Sequence, residues 1–241
     1  MDNHARVRFD SVFRFNDFSL SIQMKHTLEI SGMRLLFGER LILSDVYLKI
    51  ETGDAIGLLG RNGAGKSCLM RGAYGTLKCE KSVIADDTSV YEAYKQPGLM
   101  RYLPQHHFIP KQLTLKRIFR DFGVDFTPFS ELFPAFQLRE NSKIGHLSGG
   151  MYRLVEMYVI IKSDAKFVLL DEPFTHISPV QIEIIQSVIE EERSRKGFLI
   201  TDHLFKRIQE SCNRVYLLAN GRTHTVEHED DLKRFGYISF E

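Results

Sequence analysis

The apolar run Ala55-Ile56-Gly57-Leu58-Leu59 leads directly into Gly60-Arg61-Asn62-Gly63-Ala64-Gly65-Lys66-Ser67. The run reads as a short buried strand, and a chain leaving such a strand needs one glycine or two to turn. Here three glycines precede a lysine and a hydroxyl residue in the spacing G-x-x-x-x-G-K-S, which is that of a phosphate-binding loop. Small residues at Gly60, Gly63, Ala64 and Gly65, with Asn62 among them, let backbone N–H groups converge on phosphate oxygens. Lys66 adds a point charge, and the Ser67 hydroxyl can ligate Mg²⁺. Cys68-Leu69-Met70-Arg71 can open a helix behind the loop. A strand, an anion loop and a helix in series point to an α/β protein that handles a nucleotide.

A chain of 241 residues with 43% apolar content can bury one sizeable core with a smaller subdomain attached. The longest apolar runs, Phe167 to Leu170 and Val215 to Ala219, are far too short to cross a bilayer. Work at a membrane would therefore go through a partner. Cys68, Cys79 and Cys212 are odd in number and lack the spacing of a zinc site, which fits a reducing, cytoplasmic compartment. A net charge of +1 gives no basic footprint, so no nucleic-acid partner is expected. Residues 1–23 alternate loosely and carry charges throughout, with no continuous signal-peptide apolar stretch; they are set apart as an N-terminal extension of unknown role.

Along residues 24–241, Leu28 to Ile30 and Val46 to Ile50 read as strands with Phe37-Gly38-Glu39-Arg40 as the turn between them. Leu115, Ile118, Phe119 and Phe122 follow helical spacing behind Thr114 as N-cap, and Phe129, Leu132, Phe133 and Phe136 repeat that spacing across Pro134. A helical subdomain over about residues 106–160 results, and its phenylalanines form either a small core or an exposed docking groove. Ser148 caps a helix that ends before the strand Phe167 to Leu170. A further helix runs from about Pro179 to Lys196, with Glu190-Glu191-Glu192 read as a solvated face. Phe198 to Thr201 is the next strand, and Val215 to Leu218 with Arg222 to Val226 form a hairpin around Asn220-Gly221.

Two further motifs carry chemistry. The strand Phe167 to Asp171 ends in paired carboxylates, Asp171 and Glu172. Beside a phosphate loop, Asp171 can serve the metal shell and Glu172 can orient and deprotonate a water that attacks the γ-phosphate. Leu147-Ser148-Gly149-Gly150 is a second glycine-rich helix start, and so a second anion site.

With these motifs the sequence from about Thr27 to Val226 resembles the ABC (ATP-binding cassette) ATPases. The features follow in the family's order: Phe37-Gly38, the phosphate loop, Gln105 in Tyr102-Leu103-Pro104-Gln105, the LSGG signature, Asp171-Glu172-Pro173, and His203 in Thr201-Asp202-His203. The resemblance implies a P-loop NTPase fold of the ABC ATPase type: a mainly parallel sheet core, antiparallel strands and a short helical subdomain. It implies ATP and Mg²⁺ as cofactors. By the same resemblance Phe37 stacks on adenine, Gly60 to Ser67 wrap the phosphates, and Cys68 stands where a hydroxyl usually reaches the α-phosphate. Gln105 contacts Mg²⁺ or the attacking water, Asp171 serves the metal, Glu172 is the general base and His203 bonds the γ-phosphate. Ser148, Gly149 and Gly150 of one copy close over ATP held by the loop of another.

Three departures stand out: Met151 replaces the signature's usual Gln, Cys68 the hydroxyl, and Ser178 the aspartate of the turn after Glu172. The leading expectation is the ATP-hydrolysing subunit of an ABC transporter. It would pair as a homodimer, or with a related cassette, drive separate transmembrane permease subunits, and lie on the cytoplasmic face of the membrane. A soluble ABC-type ATPase acting on nucleic acid or the ribosome is the rival, and a regulatory module without turnover is the third possibility.

Overall fold

The structure, a computed structural model, describes residues 25–202, 208–209 and 211–237. The expectations for residues 1–23 and for His203 lie outside the described residues. Two sheets organise the described residues. The first is antiparallel and is built on the long strand β1 (Thr27–Phe37), which pairs with β2 (Arg40–Leu43), β3 (Tyr47–Glu51) and β5 (Glu80–Ala85), with the two-residue β6 (Thr88–Ser89) beside β5. The expected strand Leu28 to Ile30 is thus only the first part of β1. The turn at Gly38 joins β1 to β2 as a hairpin, while β3 pairs with the opening residues of β1.

Among the described residues the second sheet has six strands. Its members are β4 (Ala55–Leu59), β7 (Met100–Leu103), β8 (Phe167–Asp171), β9 (Gly197–Thr201), β10 (Arg214–Ala219) and β11 (Arg222–Val226). Across the sheet they run β11-β10-β4-β9-β8-β7, all parallel except the β10–β11 hairpin. Every residue of β4, β8 and β9 is buried, as continuous apolar strands in a parallel sheet must be. Register places Leu58, Thr201 and Asp171 in one row, so the loop after β4 and the carboxylates after β8 emerge together at the carboxyl edge.

Helix α1 (Lys66–Tyr74) follows β4, α4 (Gly149–Lys162) precedes β8, and α5 (Pro179–Arg193) joins β8 to β9. Between β7 and α4 lie α2 (Leu115–Phe122) and α3 (Phe126–Leu132). The helical spacing expected through Phe136 breaks at Phe133, because a residue before proline is pushed out of the helical region. Phe133 sits at φ −124°, ψ 81°, and Pro134–Phe136 form a separate 3₁₀ turn. Phe119, Phe129, Phe133 and Phe136 are all buried. Those rings are core, not groove.

The expectation that Glu190-Glu191-Glu192 face solvent needs correction at its last member. Glu192 is buried and paired with Lys162 at 2.8 Å, Lys196 at 2.9 Å and Arg195 at 2.5 Å. Buried charge survives only where paired and hydrogen-bonded. Lys196, itself 1% exposed, also donates to the carbonyls of Ile161 and Ser163 at the end of α4, where cations are favoured. Burial lowers its pKa to about 8, against the pull of Glu192.

Candidate nucleotide site

Helix α1 begins with no side-chain cap. Its N-cap is Gly65 in the left-handed region at φ 106°, a conformation that a side chain would strain, so the first-turn N–H groups remain available to an anion. Lys66 is almost fully buried, and its ammonium donates to the carbonyl of Gly60 at 2.7 Å and of Arg61 at 3.4 Å. Burial pushes its pKa down, opposed by the nearby carboxylates of Glu172, Asp171 and Asp202. Gly60 cannot carry a side chain, since a Cβ there would meet the Leu218 carbonyl at 2.9 Å. Ala64 packs against the core beneath the loop.

A cavity of about 580 Å³ opens over this helix start. Phe37, Asn62, Gly63, Gly65, Lys66, Ser67, Cys68, Gln105 and Glu172 line it. Phe37 is half exposed, free to offer its ring face. Arg40 and Ile42 line the same cavity from β2, and sequence reasoning missed both, because only the hairpin pairing brings β2 over the loop.

The carboxylates are held from below. Asp171 is 1% exposed and accepts from the Tyr102 hydroxyl at 3.0 Å and the Thr201 hydroxyl at 2.9 Å. Burial, then the adjacent Asp171 carboxylate, raises the Tyr102 pKa far above the ordinary phenol range, so it stays a donor. Glu172 has a left-handed backbone, φ 46°, uncommon for a residue with a side chain. Its N–H donates to Thr201 at 2.9 Å, and its carboxylate accepts from Gln105 Nε2 at 2.8 Å. In the sequence Tyr102 and Thr201 stand only as neighbours of motif residues. Their hydroxyls reach Asp171 from the two strands that flank β8, a relation visible only once the strand order is known.

The signature residues lie elsewhere. Ser148 caps α4, accepting from Met151 N–H at 3.4 Å, and Gly149 lines a separate cavity of about 540 Å³ with His106, His107, Lys111, Arg153, Thr175 and His176. Gln105 lines both cavities. The two signature glycines differ in what surrounds them. A Cβ on Gly149 would meet open space, whereas one on Gly150 would sit 2.6 Å from the His176 carbonyl. Ser178 has a task of its own as N-cap of α5, forming a capping box with Gln181 behind Pro179.

Comparison with known proteins gives a family. The family model described as ABC transporter matches residues 43–175. The chain is 31% identical over 221 residues to the lipopolysaccharide export system ATP-binding protein LptB of Haemophilus influenzae, spanning 82% of this chain and 91% of that protein. It is 31% identical over 219 residues to the protein of the same name from Escherichia coli K12, spanning 84% and 90%. Among solved structures, the ATP-binding subunit of an ABC transporter superposes with a TM-score of 0.71 at 23% identity, covering 86% of this chain and 92% of that one. A nucleotide-free ATP-binding cassette from an ABC transporter gives 0.68 at 21% identity, covering 87% and 94%. Among the described residues no helix is long and apolar enough to cross a membrane. The chain therefore belongs to the ABC transporter family, as an ATP-binding ATPase subunit.

Proposed function

We propose that two copies of this cassette, or one with a related partner, close head to tail on Mg-ATP and power separate membrane subunits, with residues 24–241 acting as one unit. The observation that carries the reading is the convergence of Lys66, Ser67, Gln105 and Glu172 on one cavity, while Gly149 faces a second. In this reading Phe37 stacks on the base, and Gly60 to Ser67 with Cys68 hold the phosphates. Glu172 accepts the proton of the attacking water while Gln105 fixes its carboxylate, and His203 donates to the γ-phosphate. Ser67 and Asp171 would hold Mg²⁺, with Gln105 close by. Few protein oxygens with phosphate and water completing the shell is how this ion is commonly bound. When bound, it would neutralise charge developing on the phosphoryl oxygens.

Ser148, Gly149 and Gly150 serve the nucleotide of the opposite subunit. Ser148 keeps a hydroxyl proton to donate even while its oxygen accepts from Met151. A test follows from the unequal surroundings of the two glycines. In Gly149→Asp the Cβ meets no neighbour and the acid lies in the first turn of a helix, so thermal stability is expected to hold. Turnover is expected to fall by roughly a hundredfold or more, because the new charge opposes a phosphate. Gly150→Ala instead lowers stability, through its clash with His176. Mixing Gly149→Asp subunits with Lys66→Ala subunits should restore turnover, since each mixed pair keeps one intact composite site. If two inactive subunits stay inactive together although they associate, the signature does not act across a pair.

Cys68 offers a simpler probe of occupancy. Burial raises its thiol pKa, so alkylation is slow, and Mg-ATP is expected to slow it further. Mass spectrometry of iodoacetamide-treated protein reads this, and an unchanged rate at saturating nucleotide would count against phosphate contact at this position.

A further inference from the structure

Helix α4 turns two charged side chains inward: Arg153 is 4% exposed and Glu156 fully buried. Their mutual separation, 3.8 Å between Nη1 and Oε2, does not account for both. Their shorter bonds go to other segments. Arg153 donates through Nη1 to the Pro104 carbonyl at 2.7 Å, through Nη2 to the carbonyls of Asp171 at 3.0 Å and Glu172 at 3.3 Å, and through Nε to that of Pro173 at 3.3 Å. Glu156 accepts from the N–H groups of Phe108 at 2.7 Å and Ile109 at 3.2 Å and meets His107 Nδ1 at 2.8 Å.

The backbone on both sides of Gln105 is thereby fastened to α4, and the same guanidinium grips the residues around Glu172. Glu172 needs such a grip. Its left-handed backbone persists only where the surroundings over-determine it, and besides Thr201 the Arg153 fork supplies that constraint. A planar fork with five donors can serve four carbonyls from two segments; an ammonium cannot.

We propose that Arg153 is a positioning residue for hydrolysis: by fixing both backbones it aligns the Glu172 carboxylate with Gln105, and so makes turnover depend on where residues 104–109 sit. This rests on Glu172 being the general base. Arg153 is absent from the lining of the nucleotide cavity but lines the second one with Gly149, so its loss should spare ATP binding at a subunit's own loop.

The test measures steady-state ATP turnover and the affinity of a fluorescent ATP analogue for the parent, Arg153→Lys, Arg153→Met and Glu172→Gln. Arg153→Lys keeps charge and stem but not the fork, and is expected to lower kcat roughly tenfold or more, as small misplacements of a reacting group do. Analogue affinity should stay within about twofold of the parent, since the loop contacts are untouched. Arg153→Met should lose more turnover. If it does not fold, the lysine variant decides. Turnover of Arg153→Lys within about twofold of the parent overturns the proposal, as does a fall in affinity matching the fall in turnover, the mark of general damage. Parent-like turnover in Glu172→Gln would instead show that the base is misassigned, which is a different failure from an indifferent Arg153 beside an inactive Glu172→Gln.

Discussion

Glu172→Gln should reduce ATP turnover by roughly two to four orders of magnitude, the share a positioned general base contributes. The substitution keeps size and shape and removes only the proton acceptor. The bonds that hold residue 172 in its left-handed conformation, from its N–H to Thr201 and from Arg153 to its carbonyl, belong to the backbone and survive the change. The bond from Gln105 loses its charged acceptor but still has an amide oxygen to reach. Binding of Mg-ATP should therefore persist, and the variant should accumulate in its nucleotide-bound state. Phosphate release against time, with analogue affinity as the control, measures both. Turnover equal to the parent's would remove Glu172 from the reaction.

The second large effect concerns stability. Phe129 is fully buried, with ring centroids at 4.6 Å from Phe136, 4.9 Å from Tyr158, 5.1 Å from Phe119 and 5.2 Å from Phe133. Phe129→Ala removes the ring on which the others converge and leaves a cavity in a region built from two short helices and a 3₁₀ turn. A cost of about 3–5 kcal/mol is expected. That is a large part of the 5–15 kcal/mol typical of a whole domain. Urea unfolding followed by far-ultraviolet circular dichroism should show the midpoint falling, or an early transition if the helical region opens by itself. A change below about 1 kcal/mol would mean that these rings do not form a closed core.

The parts legible in the sequence share a physical character. The fully buried strands β4, β8 and β9 announce themselves as apolar runs, and the anion loop announces itself because a backbone that must approach a ligand excludes side chains. Contacts between remote segments left no such trace. Glu192 looked solvated because one of its cations, Lys162, comes from another helix. Arg153 gives no signal in the sequence because the oxygens it serves are main-chain carbonyls, which every residue carries. The strand β5, Glu-Lys-Ser-Val-Ile-Ala, went unread since its polar half gives no clear alternation, and β1 supplies the pairing. The regular spacing of the phenylalanines runs through Pro134, but the proline's constraint on Phe133 overrides it and the backbone breaks there.

The resting place of the Lys66 ammonium on the carbonyls of Gly60 and Arg61 sets what an arriving triphosphate must do. Entry is an exchange of neutral oxygens for anionic ones, not the quenching of a bare cation. The loop is thus braced by its own lysine, and the apparent affinity for nucleotide reports the difference between two sets of acceptors.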